Sequence, residues 1–330
     1  EVLHHYQQKH GLSLRQKLIA SLPHYAPWAA RLRGLLNLRD KLPGAAKASE
    51  KLLGFSARRS LPRWQKPYTP GPTTATGAEV ALLADTFNRY FEPENLRAAE
   101  NVLRAAGYQV QVLEASDGKR PLCCGRTFLA SGQVEQARTE ARRLLAAVKP
   151  LLDRGVPILG LEPSCLFTLR DEFFALLPGA AAQQLADQAL LIEEFLAREQ
   201  QAGRLQLTLR PLASRKVLLH GHCHQKAFAS MSAVETSLRL IPNIELSTIQ
   251  SSCCGMAGAF GYEAEHYELS MRMAEQDLLP AVRAADATTL LVADGTSCRH
   301  QIHDGSGREA LHVVRVLEQA LAHSDKEQAV

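Results

Sequence analysis

Val156-Pro157-Ile158-Leu159-Gly160-Leu161-Glu162-Pro163-Ser164-Cys165 and Thr288-Thr289-Leu290-Leu291-Val292-Ala293-Asp294-Gly295-Thr296-Ser297-Cys298 are short apolar runs, each leading through a turn to a cysteine. Runs of this length, rich in branched aliphatic residues and bounded by turn formers, read as strands buried on both faces. Upstream of each lies a long helical pattern, Gln133 to Asp153 and Glu263 to Ala284, preceded by Cys123-Cys124-Gly125 and Cys253-Cys254-Gly255. Further back come strands at Tyr108 to Leu113 and Ile244 to Ile249, and helices at Pro93 to Ala106 and Ala233 to Leu240. Strands at Glu79 to Ala84 and Lys216 to His220 open the two series.

Both halves therefore run strand, helix, strand, Cys-Cys-Gly, long helix, strand, cysteine. The gap from the second cysteine of each pair to the terminal one is 41 residues in the first half and 44 in the second, as an internal duplication predicts. Strands alternating with helices specify an α/β fold: two pseudo-repeated parallel-sheet halves with flanking helices. In such sheets functional groups gather at the carboxyl ends of strands, where these cysteines fall.

A basic helical arm precedes the repeat. Residues 1–70 carry 13 Lys and Arg against 3 Asp and Glu, so a net charge of +4 conceals a basic arm on an acidic body. Helix-like spacing at Leu14 to Leu22, Trp28 to Leu42 and Ala45 to Leu53 is interrupted by Pro23, Pro27, Pro43 and Pro62. Pro67 to Gly77 is rich in turn formers and reads as a connector. The expected units are residues 1–76, arm and linker, 77–212, first half, and 213–330, second half. The arm's basic residues are interleaved with Leu, Ala and Pro and lack an aromatic stacking pattern, so no nucleic-acid partner is expected; acidic protein surface suits it better.

With 46% hydrophobic and 22% charged residues, the chain has the composition of a globular protein. Its apolar runs are too short for a membrane span, and no signal-peptide pattern opens it. The expected location is the cytoplasm, or the inner face of the inner membrane as a peripheral protein. Starting on Glu1-Val2-Leu3, the sequence reads as a piece of something longer.

Seven cysteines, an odd number, argue against a closed disulfide framework. In a reducing compartment clustered cysteines more often bind metal or do redox chemistry. Cys223, Cys253, Cys254 and Cys298 come from three strand ends, and four thiolates are what a [4Fe–4S] cluster needs. Incidental core cysteines are the alternative for any one position, but not for a duplicated Cys-Cys-Gly. Zinc tying strand ends together is a second reading, and a metal-free thiol–disulfide pair a third.

His220, His222 and His224 surround Cys223. In an extended segment they share one face and Cys223 takes the other. They suit hydrogen bonding to cluster sulfurs, anionic substrate binding or proton relay; ordinary loop histidines are the alternative. The first half offers only Cys123, Cys124 and Cys165, with Asp85 at the place of Cys223. That set would hold zinc, a cluster with one non-cysteine ligand, or nothing.

The two Cys-Cys-Gly segments resemble the cysteine-rich CCG domain of heterodisulfide reductase B subunits, glycolate oxidase iron–sulfur subunits and bacterial L-lactate oxidation proteins. The resemblance covers about residues 77–320. It departs from the fullest pattern at Asp85, at Thr168 and at Gln301, where cysteines would stand, which weighs against a five-cysteine noncubane cluster. Ala84 to Phe91, Glu162 to Cys165, Gly221 to Gln225, and the arm's Glu1 to Tyr6 and Ser56 to Trp64 look like the C-terminal part of FAD-linked oxidase fusion proteins. This likeness implies an iron–sulfur electron-transfer module of a D-2-hydroxyacid dehydrogenase, with D-2-hydroxyglutarate as leading substrate. The implied partners are the flavin and ferredoxin-like domains of the parent chain and an electron acceptor. FAD would be bound by the parent and not by residues 1–330.

Overall fold

The structure, a computed structural model, describes residues 2–72, 76–118 and 120–322. Residues 73–75 of the expected connector, and 323–330 of the expected last unit, lie outside these. The first half contains β1 (Glu79–Leu82), β2 (Gln109–Val112), β3 (Ile158–Gly160) and β4 (Ala189–Leu191), hydrogen-bonded in the order β2-β1-β3-β4. The second contains β5 (Lys216–Leu219), β6 (Glu245–Thr248), β7 (Leu290–Val292) and β8 (Ala310–Leu311), in the order β6-β5-β7-β8. All pairings are parallel. The two sheets thus share one topology, as the duplicated pattern predicts.

Hydrophobicity explains the strands. Val80, Ala81 and Leu82 of β1 and all of β3 are buried, because helices cover both faces of each sheet. Helix Pro93–Ala105 opens with Pro93 in its first turn, where a missing N–H costs nothing, and turns Leu96, Ala99 and Leu103 inward. Burying a leucine of this kind stabilises by roughly 1.5–3 kcal/mol.

One expected element differs. The helix foreseen from Glu263 to Ala284 is two helices, Tyr267–Ala274 and Leu278–Ala284. Pro280 has no N–H and its ring would collide with the carbonyl of Gln276, so a continuous helix fails there. The chain instead turns through Glu275–Asp277 and restarts, with Asp277 at φ −141°. The fourth strands, β4 and β8, are only three and two residues long and carry no periodic signal in sequence.

The halves meet through helices placed alike in each. Pro93–Ala105, which follows β1, packs on Val313–Gln319, which follows β8; Met231–Leu238, after β5, packs on Ile192–Gln201, after β4. These contacts exchange under the repeat, so the halves are related as the two copies in a twofold dimer would be. One apolar core runs from Val80 and Leu103 in the first half to Val217 and Val316 in the second.

The arm folds as helices Val2–His10, Leu14–Ala20, Leu22–Arg31, Arg33–Leu36 and Ala45–Leu53. Ser13 and Gln16 form a capping box at the second of these. The expected Trp28 to Leu42 helix is broken into shorter pieces. Basic residues tie the arm to the second half. Arg15 donates to the Gly54 carbonyl at 3.0 Å and pairs with Glu265, and Arg58 pairs with Glu268. Fully buried Arg59 meets Asp304 at 3.4 Å and lies over the Tyr267 ring. On the first half, Thr127 Oγ1 donates to the Ala20 carbonyl at 2.9 Å. The arm therefore straps both halves together.

Candidate metal centre

Each sheet reverses its direction of growth between its first and third strands, and a crevice opens at their carboxyl ends. In the second half that crevice lies beyond β5 and β7. The His220 amide donates to the Val292 carbonyl at 2.8 Å, extending the β5–β7 ladder by one bond. The chain then leaves the extended conformation. His222 becomes the N-cap of helix Cys223–Ala227: its Nδ1 accepts from the His224 amide at 3.1 Å, while Gln225 Oε1 accepts from the His222 amide at 3.1 Å. The alternation expected of an extended segment therefore stops at His222. Instead the His222 and His224 rings stack, centroids 5.1 Å apart.

Cys253 and Cys254 follow β6. Gly255 lets both reach one centre: its φ is +85°, and a Cβ there would sit 2.2 Å from the Ser270 carbonyl oxygen. Its amide donates to Cys253 Sγ at 3.3 Å. Gly125 repeats the device, with φ +82° and a 3.3 Å bond to Cys123 Sγ. Cys298 lies in the first turn of helix Thr296–Ser306, after β7.

The four second-half thiols form one chain of contacts: Cys223 with Cys253, Cys253 with Cys254, and Cys254 with Cys298. Hydrogen bonds from Cys223 and Cys254, helped by the Gly255 amide, pull Cys253 well below the ordinary thiol range. Cys298 is pulled down by Cys254 and, against the effect of burial, by His220 and His222. Cys223 and Cys254, the proton-holding partners, are pushed up. Cys223 is exposed and Cys253 half-buried, whereas Cys254 and Cys298 are buried, so the group faces solvent on one side.

Histidines complete the site. Ligand atoms of His220, Cys254 and Cys298 lie within 4.8 Å of one another, and buried His220 Nε2 has no partner. His224 is lowered to about 4 by burial, with His222 and Arg126 adding to the effect, and is neutral at neutral pH. Soft sulfur donors and an orphaned buried imidazole nitrogen fit a soft metal or an iron–sulfur cluster.

The first half has different electrostatics. Cys123 is pushed well up by its bond to Cys124 and by burial. Cys124 gains from Cys123, but its bond to Cys165 and burial raise it overall. Cys165 likewise gains from Cys124, yet burial and the charges of Asp85 and Glu162 push it to about 12. Among the described residues no three of Cys123, Cys124, Cys165 and Asp85 gather as closely as His220, Cys254 and Cys298 do.

Strand register revises one expected equivalence. Asp85 caps helix Thr86–Tyr90 three residues beyond β1, as His222 caps Cys223–Ala227 three residues beyond β5. Thr86, not Asp85, therefore occupies the place of Cys223. The Asp85 carboxylate is also engaged, accepting from the Phe87 and Asn88 amides at 2.9 and 3.1 Å and from Asn88 Nδ2 at 2.7 Å. Burial raises it to about 6 in spite of these bonds.

Sequence reasoning missed the supports of the site. Gln225 Nε2 donates to Asp294 Oδ2 at 2.7 Å, clamping the Cys223 helix to the β7 end. Arg126, beside the first Cys-Cys-Gly, reaches His224 Nε2 at 3.4 Å. The signal was there: both residues sit next to a quoted cysteine motif.

Residues 85–170 and 217–303 each match the Cysteine-rich domain designated CCG. The chain belongs to that family. The first match begins just after β1 and the second within β5, and both run past the cysteine that follows the third strand, so each falls on one copy of the repeat. The chain is 28% identical to the C subunit of anaerobic glycerol-3-phosphate dehydrogenase from Escherichia coli over 297 residues, covering 87% of this chain and 72% of that protein. It is 27% identical to D-2-hydroxyglutarate dehydrogenase of Pseudomonas putida over 94% of its own length but 31% of that protein's. Lactate utilization protein A of Bacillus velezensis shares 24% identity over 66% of this chain and 87% of its own. The CCG relatives named as dehydrogenases are oxidoreductases. Within the family, the likeness to a separate dehydrogenase subunit extends the fusion-protein resemblance read from the motifs.

Proposed function

We propose that this chain is the iron–sulfur electron-transfer part of a flavin-dependent dehydrogenase acting on a CH–OH group. The carrying observation is the contact chain of Cys223, Cys253, Cys254 and Cys298, delivered by three strand ends to one half-open crevice. When bound there, a [4Fe–4S] cluster would supply one-electron transfer between a flavin and an acceptor. Exposed Cys223 marks the side on which a redox partner would approach. His222, by capping the Cys223 helix, holds that ligand in place, and His224 stacks behind it.

The first half, with raised thiols, an engaged Asp85 and Thr86 in the ligand position, is proposed to be structural and to hold neither a cluster nor zinc. D-2-hydroxyglutarate is the proposed substrate of the parent enzyme. Glycerol 3-phosphate is the second reading, supported by the likeness to a glycerol-3-phosphate dehydrogenase subunit over 87% of this chain. Flavin-bearing partners follow from both. Among the described residues no helix is long and apolar enough to cross a membrane. A peripheral place on the inner membrane is supported by the arm's exposed basic and apolar face.

Anaerobic preparation with iron and sulfide tests the central step. The expected product is brown, carries about four irons and four sulfides per chain, and gives a paramagnetic signal on reduction. Cys254→Ser should abolish that uptake. Zinc without sulfide in the native chain would replace this reading with a structural metal site.

A further inference from the structure

His220 is 1% exposed, and its two ring nitrogens face different surroundings. Nδ1 lies 3.0 Å from Ser251 Oγ. Nε2 has no hydrogen-bond partner, and a ring nitrogen of His220 and the sulfurs of Cys254 and Cys298 fall within 4.8 Å of one another. An imidazole nitrogen left unpaired in a buried site is costly unless something absent completes it. Its tautomer decides what that something must be.

The neighbours favour one tautomer. Lys226 Nζ donates to the Ser251 carbonyl, and reaches Ser251 Oγ and the Ser252 carbonyl, each at 3.3 Å. An ammonium has donors only, so it occupies a lone pair of the Ser251 hydroxyl. Among the described residues that hydroxyl has one other partner, His220 Nδ1. The hydroxyl hydrogen is then free to serve Nδ1, an arrangement that leaves the ring proton on Nε2.

We propose, on the cluster reading given above, that His220 is an N–H donor to the sulfur of the centre held by Cys254 and Cys298, with its tautomer fixed by Lys226 and Ser251. It tunes the centre rather than ligating it. Hydrogen bonds to cluster sulfur favour the more negative reduced state, so this donor raises the reduction potential. Lys226, half-buried behind the relay, adds positive charge on the same side. The proposed tautomer also separates this role from zinc ligation, which would require Nε2 to be free of its proton.

The test is a potentiometric titration, followed by paramagnetic resonance, of the anaerobically reconstituted chain and three variants: His220→Leu, His220→Gln and Ser251→Ala. Iron per chain is measured alongside. The expected result is unchanged iron in all, with midpoints for His220→Leu and Ser251→Ala moved to more negative potential. His220→Gln, whose amide can still donate, should lie closer to the native value. Unmoved midpoints in both His220→Leu and Ser251→Ala overturn the proposal, as does a folded His220→Leu that loses its iron, which would make His220 a ligand. If His220→Leu does not fold, Ser251→Ala decides alone, since it keeps the imidazole. A native chain that takes up no iron and sulfide removes the cluster reading itself, and this role with it.

Discussion

At the scale of single residues, the Cys-Cys-Gly unit works because its glycine is the one residue that fits. Gly255 holds φ +85° with the Ser270 carbonyl 2.2 Å from any added Cβ. Gly255→Ala should therefore cost at least about 1–3 kcal/mol from backbone strain alone and swing Cys253 or Cys254 out of the crevice. Lowered thermal stability together with iron below the native ratio would show both effects; native stability with full iron would refute them. The candidate cysteines of this crevice stood out in the sequence because Cys-Cys-Gly and a terminal cysteine recur at matched gaps, whereas Cys223 and the histidines have no counterpart in the first half. The parts played by Ser251 and Lys226 were not legible there, since they depend on which strand end lies opposite. Strand register also places Asp85 at a helix cap, with Thr86 next to it, a placement that depends on where β1 ends and is not legible in the sequence.

Among the elements, apolar runs bounded by turn formers predicted six of the eight strands; β4 and β8, of three and two residues, fall outside those six runs. The helix before β7 was expected whole, and Pro280 breaks it. In the arm, the basic side chains Arg15, Arg58 and Arg59 turn toward acidic partners on the second half. A different surface remains outside. Ten of the twelve large apolar side chains left exposed among the described residues lie between Val2 and Leu52, with Trp28, Leu32, Leu35 and Leu36 close in sequence beside exposed Arg31 and Arg33. Aromatic and aliphatic side chains among cations suit the interface of an anionic bilayer. Leu32→Glu combined with Leu35→Glu should sharply reduce sedimentation with vesicles containing anionic lipid, and salt should weaken the native binding. Equal sedimentation of native and variant protein would exclude the bilayer as the surface this face meets.

Across the whole molecule, the twofold-like joint is reinforced by a charged pair next to the centre. Arg299, one residue after Cys298, donates from Nε to Glu92 Oε1 of the first half at 2.7 Å and from Nη1 to the Ala293 and Asp294 carbonyls at 2.7 Å. Burial works against the Glu92 carboxylate, but the charge and hydrogen bonds of Arg299 outweigh it and hold Glu92 below its usual range. Glu92→Gln leaves Arg299 buried without its counter-charge. The expected loss lies at the low end of about 3–5 kcal/mol, because the Glu92 side chain keeps 22% exposure. Since the folded value is depressed, the native advantage is complete above the unfolded carboxylate's pKa of about 4.3. It disappears as pH falls through the folded value. Urea unfolding of both proteins at neutral and acid pH should show the margin closing on the acid side; a margin independent of pH would contradict this account of the joint.

The central claim is that four thiols of the second half, and none of the first, hold one inorganic centre. Iron per chain in the seven single Cys→Ser variants, prepared anaerobically, tests it most directly. Replacement of Cys223, Cys253, Cys254 or Cys298 should lower or abolish iron, while replacement of Cys123, Cys124 or Cys165 should leave the native ratio in every variant that folds. Full iron in the first group, or loss of iron from a folded member of the second, would contradict it.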